Sequence, residues 1–219
     1  MVRKFFKYLL YAWLISLIPV IAYKWINPPY TLIQFSQRDL RGESGDWLNL
    51  EEIPDHFEKA AIAGEDQRFF EHSGLDLKAI EKAIEHNQKS KKKHGASTIS
   101  QQTAKNVFCW EGRSWLRKGI ETYYTIWIEL IWGKERILEV YLNVIEMGRG
   151  AFGIDEAASY YYKKPVNDLS KNQCVNIASM FPCPRTCGIN HPISRRRQYL
   201  INKSIRRYGI ILEYKNKEN

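Results

Sequence analysis

The chain has 219 residues and a mass of 25.8 kDa, room for one membrane segment and one domain large enough to bury a core. Thirteen Tyr, nine Phe and seven Trp supply aromatic packing material and exclude a disordered chain. The net charge of +9 points to an anionic partner, whether phospholipid head groups, nucleic acid or a phosphorylated substrate, and composition does not choose among them.

Residues 8 to 23, Tyr-Leu-Leu-Tyr-Ala-Trp-Leu-Ile-Ser-Leu-Ile-Pro-Val-Ile-Ala-Tyr, carry no charge and are bracketed by Lys7 and Lys24. This run falls a little short of the roughly 20 residues that span a bilayer. Phe5 and Phe6 before it and Trp25 and Ile26 after it extend the apolar stretch, and both lysines can snorkel to the interface. Pro19 would kink such a helix without forbidding it. A cleaved signal peptide is the rival reading, with Arg3 and Lys4 as its positive leader. No small-x-small cleavage site follows, because Tyr23, Lys24 and Trp25 succeed Ala22. An uncleaved anchor over residues 1–26 is therefore expected. Arg3, Lys4 and Lys7 ahead of it, against Lys24 behind, orient the N-terminus toward the cytoplasm and place the rest beyond the inner membrane.

Asn27-Pro28-Pro29-Tyr30 opens a linker, 27–49, whose residues 31 to 49 read as irregular, and a domain over 50–219 follows. Pro54 suits a first helical position and Asp55 the positive end, with Phe57, Ala60, Ala61 and Gly64 at helical spacing. Gly74 interrupts. Asp76 can cap a helix carrying Leu77, Ile80, Ala83 and Ile84 on one side, which runs into Lys89-Ser90-Lys91-Lys92-Lys93, a solvated, mobile link. Thr98 and Gln101 form a capping-box pattern, so the next helix begins near Ser97 or Thr98. Ser114 caps another, in which Leu116, Ile120, Tyr123, Tyr124, Trp127, Leu130 and Ile131 form a broad buried stripe up to Gly133. A helix from Lys134 ends by Gly148, and shorter ones are expected around 154–162 and 168–180. Pro182 and Pro184 mark a loop, and Ser194 opens a basic terminal helix to about Tyr208. No β-run is convincing, so the expected class is all-α.

Four cysteines are present: Cys109, Cys174, Cys183 and Cys187. Outside the cytoplasm, Cys183 and Cys187 can pair with each other or with Cys174. Their even spacing with His191 resembles a zinc site only superficially. Pro182 and Pro184 break a shared helical face, and neither Cys-x-x-Cys nor His-x-x-x-His is present, so ordinary thiols or a disulfide are favoured.

Two polar clusters carry the chemistry. Glu65 follows Ala60-Ala61-Ile62-Ala63-Gly64, where desolvation would raise its pKa and make it a better proton acceptor. Taken alone, an ordinary helix-end acid paired with Arg68 or Lys59 is the simpler account. The stretch from Gly95 to Asn106 packs uncharged hydrogen-bonding groups and one ammonium onto the first turns of a helix. Gln101 shares a face with Lys105, and Gln102 with Asn106. Hydroxyls and an ammonium at a helix N-terminus suit a diphosphate, although a capped surface helix has the same look. Arg117 and Glu121, at i and i+4, would ordinarily be a surface ion pair.

Four segments nevertheless resemble, in order, the signature motifs of the peptidoglycan glycosyltransferases, lysozyme-like enzymes that polymerise bacterial glycan strands from lipid II. They are Glu65-Asp66-x-x-Phe69-x-x-His72-x-Gly74, the Gly95–Asn106 stretch, Arg117-Lys118-x-x-Glu121, and Lys134-x-x-Ile137-Leu138-Glu139-x-Tyr141-Leu142-Asn143. Met180-Phe181-Pro182-x-Pro184 and Arg195-Arg196-Arg197 resemble the final motif loosely, and the residues between them, both cysteines included, depart from it. The resemblance runs from about residue 50 to 200 and implies an all-α, lysozyme-like helical domain behind a single transmembrane helix. It makes Glu65 the general base and Glu121 a second active-site glutamate that positions or polarises groups around the diphosphate. It places Lys105 and Arg113, with Arg117 or Lys118, on the donor diphosphate, Arg113 by spacing in a variable loop. Asp66, Ser97, Thr98, Gln101, Gln102 and Asn106 join the substrate-binding set, with Phe69 and His72 shaping the turn, and Glu139, Tyr141 and Asn143 serve as scaffold or acceptor support.

The implied reaction adds lipid II to a lipid-linked glycan, forming a β-1,4 bond with inversion and releasing undecaprenyl diphosphate. No cofactor is required. A divalent cation, magnesium or manganese, could assist, but no dedicated ligand cluster is visible. The glycine-rich Glu146–Ile154 segment is no phosphate loop, since no Gly-Lys-Ser/Thr closes it. Expected partners are lipid II, the lipid-linked glycan, the inner membrane and cell-wall synthesis and division proteins. Nucleic acid is not expected, because only the net charge suggests it. Ser90-x-x-Lys93 and Ser170-x-Asn172 are chance matches to transpeptidase motifs without a Lys-Thr-Gly, so the chain resembles the monofunctional transglycosylases of Gram-negative bacteria. Two rivals stand beside this reading: a lysozyme-like glycan-cleaving enzyme with Glu65 as general acid, and an inactive membrane scaffold. The cationic motifs disfavour the first, because glycan hydrolysis has no diphosphate to hold.

Overall fold

The computed structural model describes residues 2–37, 45–90 and 95–209, and in these the chain is all-α apart from one small hairpin. Helix α1 (Val2–Ala22) has a mean hydropathy of 1.8 and is long and apolar enough to cross a membrane. Only its last turns meet the domain. Leu17 and Val20 are buried, Trp13 meets Trp127 edge to face at 5.9 Å, and Ser16 and Tyr123 share a hydrogen bond of 2.8 Å. The carbonyls at its C-terminal end find donors from the domain. Trp132 Nε1 donates to Val20 O at 2.6 Å, and the Arg136 guanidinium donates to Tyr23 O and Ile26 O at 2.9–3.0 Å. Val20 O is one of the acceptors a helix end leaves unsatisfied, Tyr23 O and Ile26 O belong to the turn just after it, and the Arg136 cation there also meets the negative end of the dipole.

The expected irregular linker is instead docked. Thr31 and Gln34 form a capping box that starts α2 (Leu32–Ser36), and Ile33 is buried. Farther along, Asn143 clamps the backbone of Leu48, accepting from its N–H at 3.0 Å and donating to its carbonyl at 2.8 Å.

The core forms around α5 (Ile99–Phe108), which lies against α6 (Trp115–Ile131) and α7 (Lys134–Val144). On the other side, α3 (Asp55–Glu65) packs on α9 (Lys171–Ala178) and α10 (Pro192–Tyr208), while α8 (Gly153–Tyr162) rests on α7. Phe57, Phe69, Ile99, Ile137, Leu138 and Tyr141 are fully buried at this junction. Asp76 caps α4 (Leu77–Lys89) through the Ala79 N–H at 2.9 Å.

Several expectations are corrected. The long apolar stripe of α6 is only in part a core face: Tyr124, Trp127 and Ile131 pack against the core, half-buried. Leu116 and Leu130 are exposed, Tyr123 and Trp127 meet α1, and the buried side of α6 carries Glu121, Thr125 and Ile128. An apolar pattern marks a face but not what covers it. Ser194 lies inside α10, fully buried, and the helix opens two residues earlier at Pro192 behind His191. The Lys91–Lys93 part of the expected link lies outside the described residues. Cys183 and Cys187 form a disulfide, so the Cys174 alternative fails: Cys174 and Cys109 are buried free thiols.

The hairpin β1 (Glu146–Gly148) and β2 (Ala151–Phe152) pairs antiparallel with Glu146 opposite Phe152, too short for an alternating pattern to reveal. It turns directly into α8 at Gly153, whose φ is +79° and whose added Cβ would lie 2.7 Å from Asn143 O. Both the left-handed backbone and the contact demand glycine. Gly153→Ala is expected to destabilise the chain by about 2–4 kcal/mol, read in detergent micelles as a lower urea midpoint with unchanged slope.

Candidate active site

Glu65 is the last residue of α3 and is held from two sides. Its Oε2 accepts from Gln102 Nε2 on α5 at 2.9 Å. Its Oε1 accepts from Arg197 Nη2 on α10 at 2.6 Å, and Arg197 also donates to Gly64 O at 3.2 Å. Burial pushes the Glu65 pKa up, with Arg197 and the Gln102 hydrogen bond pulling the other way. Arg197 stands 132 residues from Glu65. The loosely matching arginine triplet is the signal for it, and nothing in the triplet itself distinguishes one of the three.

The neighbouring Asp66 fixes where that carboxylate sits. Asp66 Oδ2 accepts from the Ile99 N–H at 3.0 Å, at the first turn of α5. Both its oxygens lie 2.9–3.0 Å from His72 Nε2, and His72 Nδ1 accepts from the Gly74 N–H at 3.2 Å. A ring with its proton on Nε2 and a lone pair on Nδ1 serves both bonds. Gly74 has φ +90°, and a Cβ there would lie 2.8 Å from Thr125 Cγ2. Its carbonyl accepts from Thr98 Oγ1 at 2.6 Å, while Thr98 and Gln101 complete the capping box of α5. The first motif is thus bolted to the start of the second.

This assigns different work to several expected substrate-binding residues. Phe69 is fully buried beneath the Lys134 ammonium, 4.5 Å from its ring centroid, and has no surface to offer a ligand. Asp66 and Thr98 line the smaller cleft, but both Asp66 oxygens, both His72 ring nitrogens and Thr98 Oγ1 are engaged with one another and the backbone, and Gln101 Oε1 accepts from the Thr98 N–H at 3.1 Å.

Two clefts flank the Glu65–Gln102 hydrogen bond. The smaller, about 310 Å³, is walled by Glu65, Arg68, Lys82, Gly95 and Ser97 among others. The larger, about 460 Å³, is walled by Gln102, Lys105, Asn106, Arg113 and Arg117. Gln102 joins them, since it lines the larger and hydrogen-bonds the carboxylate of the smaller. Its amide is oriented by Tyr141, whose hydroxyl donates to Gln102 Oε1 at 3.3 Å and leaves the NH₂ toward Glu65. Burial holds the Tyr141 phenol pKa well above its usual value, so it remains a donor.

Burial and the Arg117 guanidinium push the Lys105 pKa down, opposed by Glu121. Glu121 is 3 % exposed and lies behind the cleft wall. It accepts from Arg117 Nη1 at 2.7 Å and from Lys118 Nζ, so it acts on the cleft by fixing those cations. Arg113 shares the wall with Lys105 and Arg117. The proton acceptor lines the smaller cleft and the three cations line the larger one, with the Glu65–Gln102 hydrogen bond between them. Such a pair of neighbouring clefts can deprotonate a hydroxyl on one side while stabilising an anionic leaving group on the other.

Comparison with known proteins agrees with this geometry. The transglycosylase family model matches residues 32–206. The chain is similar to a biosynthetic peptidoglycan transglycosylase of Pseudomonas aeruginosa, 45 % identical over 189 residues covering 83 % of this chain and 82 % of that one. Proteins with the same name in Bdellovibrio bacteriovorus, 46 % identical over 83 % of this chain and 77 % of that one, and Pseudomonas syringae, 41 % identical over 94 % and 92 %, are similar too. With the match reaching from the docked segment before α3 to the last turns of α10, the chain belongs to the transglycosylase family.

Proposed function

We propose that this peptidoglycan glycosyltransferase polymerises lipid II into β-1,4-linked glycan. The observation that carries the reading is the Glu65 carboxylate, of raised pKa, hydrogen-bonded to Gln102 on the helix that presents Lys105 to the cationic cleft. The donor is a growing lipid-linked strand whose diphosphate lies against Lys105, Arg113 and Arg117, with Glu121 fixing Arg117 and Lys118. Lipid II is the acceptor. Glu65 takes the proton from its GlcNAc 4-hydroxyl as that oxygen attacks the donor's anomeric carbon. The bond from that carbon to the diphosphate oxygen breaks, its electron pair leaves on undecaprenyl diphosphate, and the configuration inverts. Cations at the departing oxygens stabilise the charge that develops there.

Helix α1 would tether the enzyme in the inner membrane with the domain in the periplasm, as Arg3, Lys4 and Lys7 ahead of it suggest. Both substrates are lipids, so tethering confines their encounter to a surface. Cell-wall synthesis and division proteins are the macromolecular partners this location offers.

Glu65→Gln is expected to lower polymer formation from purified lipid II by about two to four orders of magnitude, with unchanged far-ultraviolet circular dichroism. Soluble muropeptides released from intact sacculi, with no polymer from lipid II, would make the chain a lytic enzyme instead. Normal complementation by Glu65→Gln would make it a scaffold.

The rate of the wild type should follow a bell in pH. The base must be ionised, so the acid limb lies above the ordinary glutamate value of 4.5, and Lys105 must be charged, so the alkaline limb lies below the ordinary lysine value of 10.5. Arg197→Gln removes the charge that pulls Glu65 down, and is expected to move the acid limb to higher pH. An acid limb that stays put in this variant would separate Arg197 from the base.

A further inference from the structure

The loop after α9 supplies part of the larger cleft's wall. It is also the part of the chain that departs from the family pattern. Phe181, Pro182, Pro184 and Arg185 line the cleft, and the Cys183–Cys187 disulfide closes the turn around Arg185 with a Cα–Cα distance of 5.4 Å. The Cys187 N–H donates to Cys183 O at 2.9 Å within the same turn. From this turn Arg185 reaches two carboxylates on other elements. Its Nε lies 2.8 Å from Glu146 Oε2 and 3.0 Å from Oε1 on β1, and its Nη2 lies 3.2 Å from Glu111 Oε1 in the loop after α5. Glu111 is held besides by Gln37 Nε2 at 3.3 Å and Ser36 Oγ at 3.4 Å.

Glu111 and Glu146 stand on the same wall as Lys105, Arg113 and Arg117. Left bare, two carboxylates would repel the anion those cations attract. The fork of one guanidinium engages both, which a point charge does less well. Pairing costs the arginine and its turn conformational freedom, and a covalent closure of the turn lowers that cost in advance.

We propose that Arg185, held in place by the Cys183–Cys187 disulfide, is a positioning residue that neutralises Glu111 and Glu146 and thereby opens the larger cleft to a lipid-linked diphosphate. This rests on reading that cleft as the donor diphosphate site.

The test is the dissociation constant of farnesyl diphosphate for the full chain in detergent micelles, measured by calorimetry. Arg185→Ala is expected to weaken binding roughly three- to tenfold, with Arg185→Lys in between. Adding Glu111→Gln and Glu146→Gln to Arg185→Ala should recover most of the loss, which a purely structural or directly phosphate-contacting arginine would not allow. Dithiothreitol, whose two thiols become its cyclic disulfide as Cys183 and Cys187 become thiols, should weaken the wild type and leave Arg185→Ala unchanged. Equal affinity of Arg185→Ala and wild type, no recovery in the triple variant, or no binding by the wild type would overturn the proposal. A reductant effect that is absent in the wild type, or equal in Arg185→Ala, would overturn the disulfide's part. Polymerisation of lipid II is assayed separately on the wild type: diphosphate binding without polymer would fell the catalytic reading while leaving the strap in place.

Discussion

A single buried carboxylate, Asp66, decides where everything else in the site can be. It is the C-terminal cap of α3 and at the same time accepts from the first N–H of α5. A carboxylate this deep, with its side chain 3 % exposed, is tolerable only if its lone pairs are met. The His72 ring and the Ile99 N–H meet them, and each partner is itself fixed, His72 by Gly74 and Ile99 by the capping box on Thr98. The register between α3 and α5 then has no freedom left. Glu65, one residue before Asp66, must face Gln102, one turn into α5. Motif residues that look like a binding surface in one dimension therefore serve largely as a joint, and the reactive groups are their immediate neighbours.

The joint brings opposed electrostatic demands into contact. Burial makes Glu65 a stronger base and Lys105 a stronger acid, since each loses water that favours its charged form. Left to burial alone, both would drift toward neutrality and the site would lose the charges its chemistry requires. Arg197 opposes that drift on Glu65, as Glu121 does on Lys105. Glu121 does so from behind Arg117 and Lys118, which keeps a negative charge off the cleft wall while still paying its electrostatic debt to the cations. The ion pair at i and i+4 that would be worth little on a surface here has its side chains 11 % and 4 % exposed, and its value lies in holding a guanidinium in one place.

What could be read from the sequence was local or carried by a long motif. The caps of α4, α5 and α6 follow from Asp76, Thr98 and Ser114, because a capping side chain bonds a backbone N–H two or three residues away. The apolar run before Glu65 foretold its raised pKa correctly, since burial is the dominant cause. The failures share one origin. The exposed part of the α6 stripe could not be told from its core-facing part, because that depends on which distant element covers it. Arg197 and Arg185 reach partners 132 and 39 residues away, and no periodicity records such a distance. The hairpin at Glu146 is shorter than the pattern needed to detect it, and α2 was hidden by its Pro-rich approach despite its Thr31–Gln34 box.

The attachment of α1 follows from the same rule that polar atoms must be met. The carbonyls at the end of an apolar helix have few donors nearby, and the domain supplies them through Trp132 and Arg136, which flank the α6–α7 turn. Arg136 is fixed in turn by Glu139, one helical turn along α7, and Tyr141, the residue that orients Gln102, lies on that same helix. The end of α1 is therefore joined to the active-site amide through one rigid helix rather than a flexible leash. With α1 in the bilayer, as the proposed function requires, that rigidity would set the height of the cleft above the lipid surface. A diphosphate bonded directly to its lipid chain has little reach of its own. An anchor that ends in hydrogen bonds to the catalytic domain suits such a substrate better than one that ends in a loop.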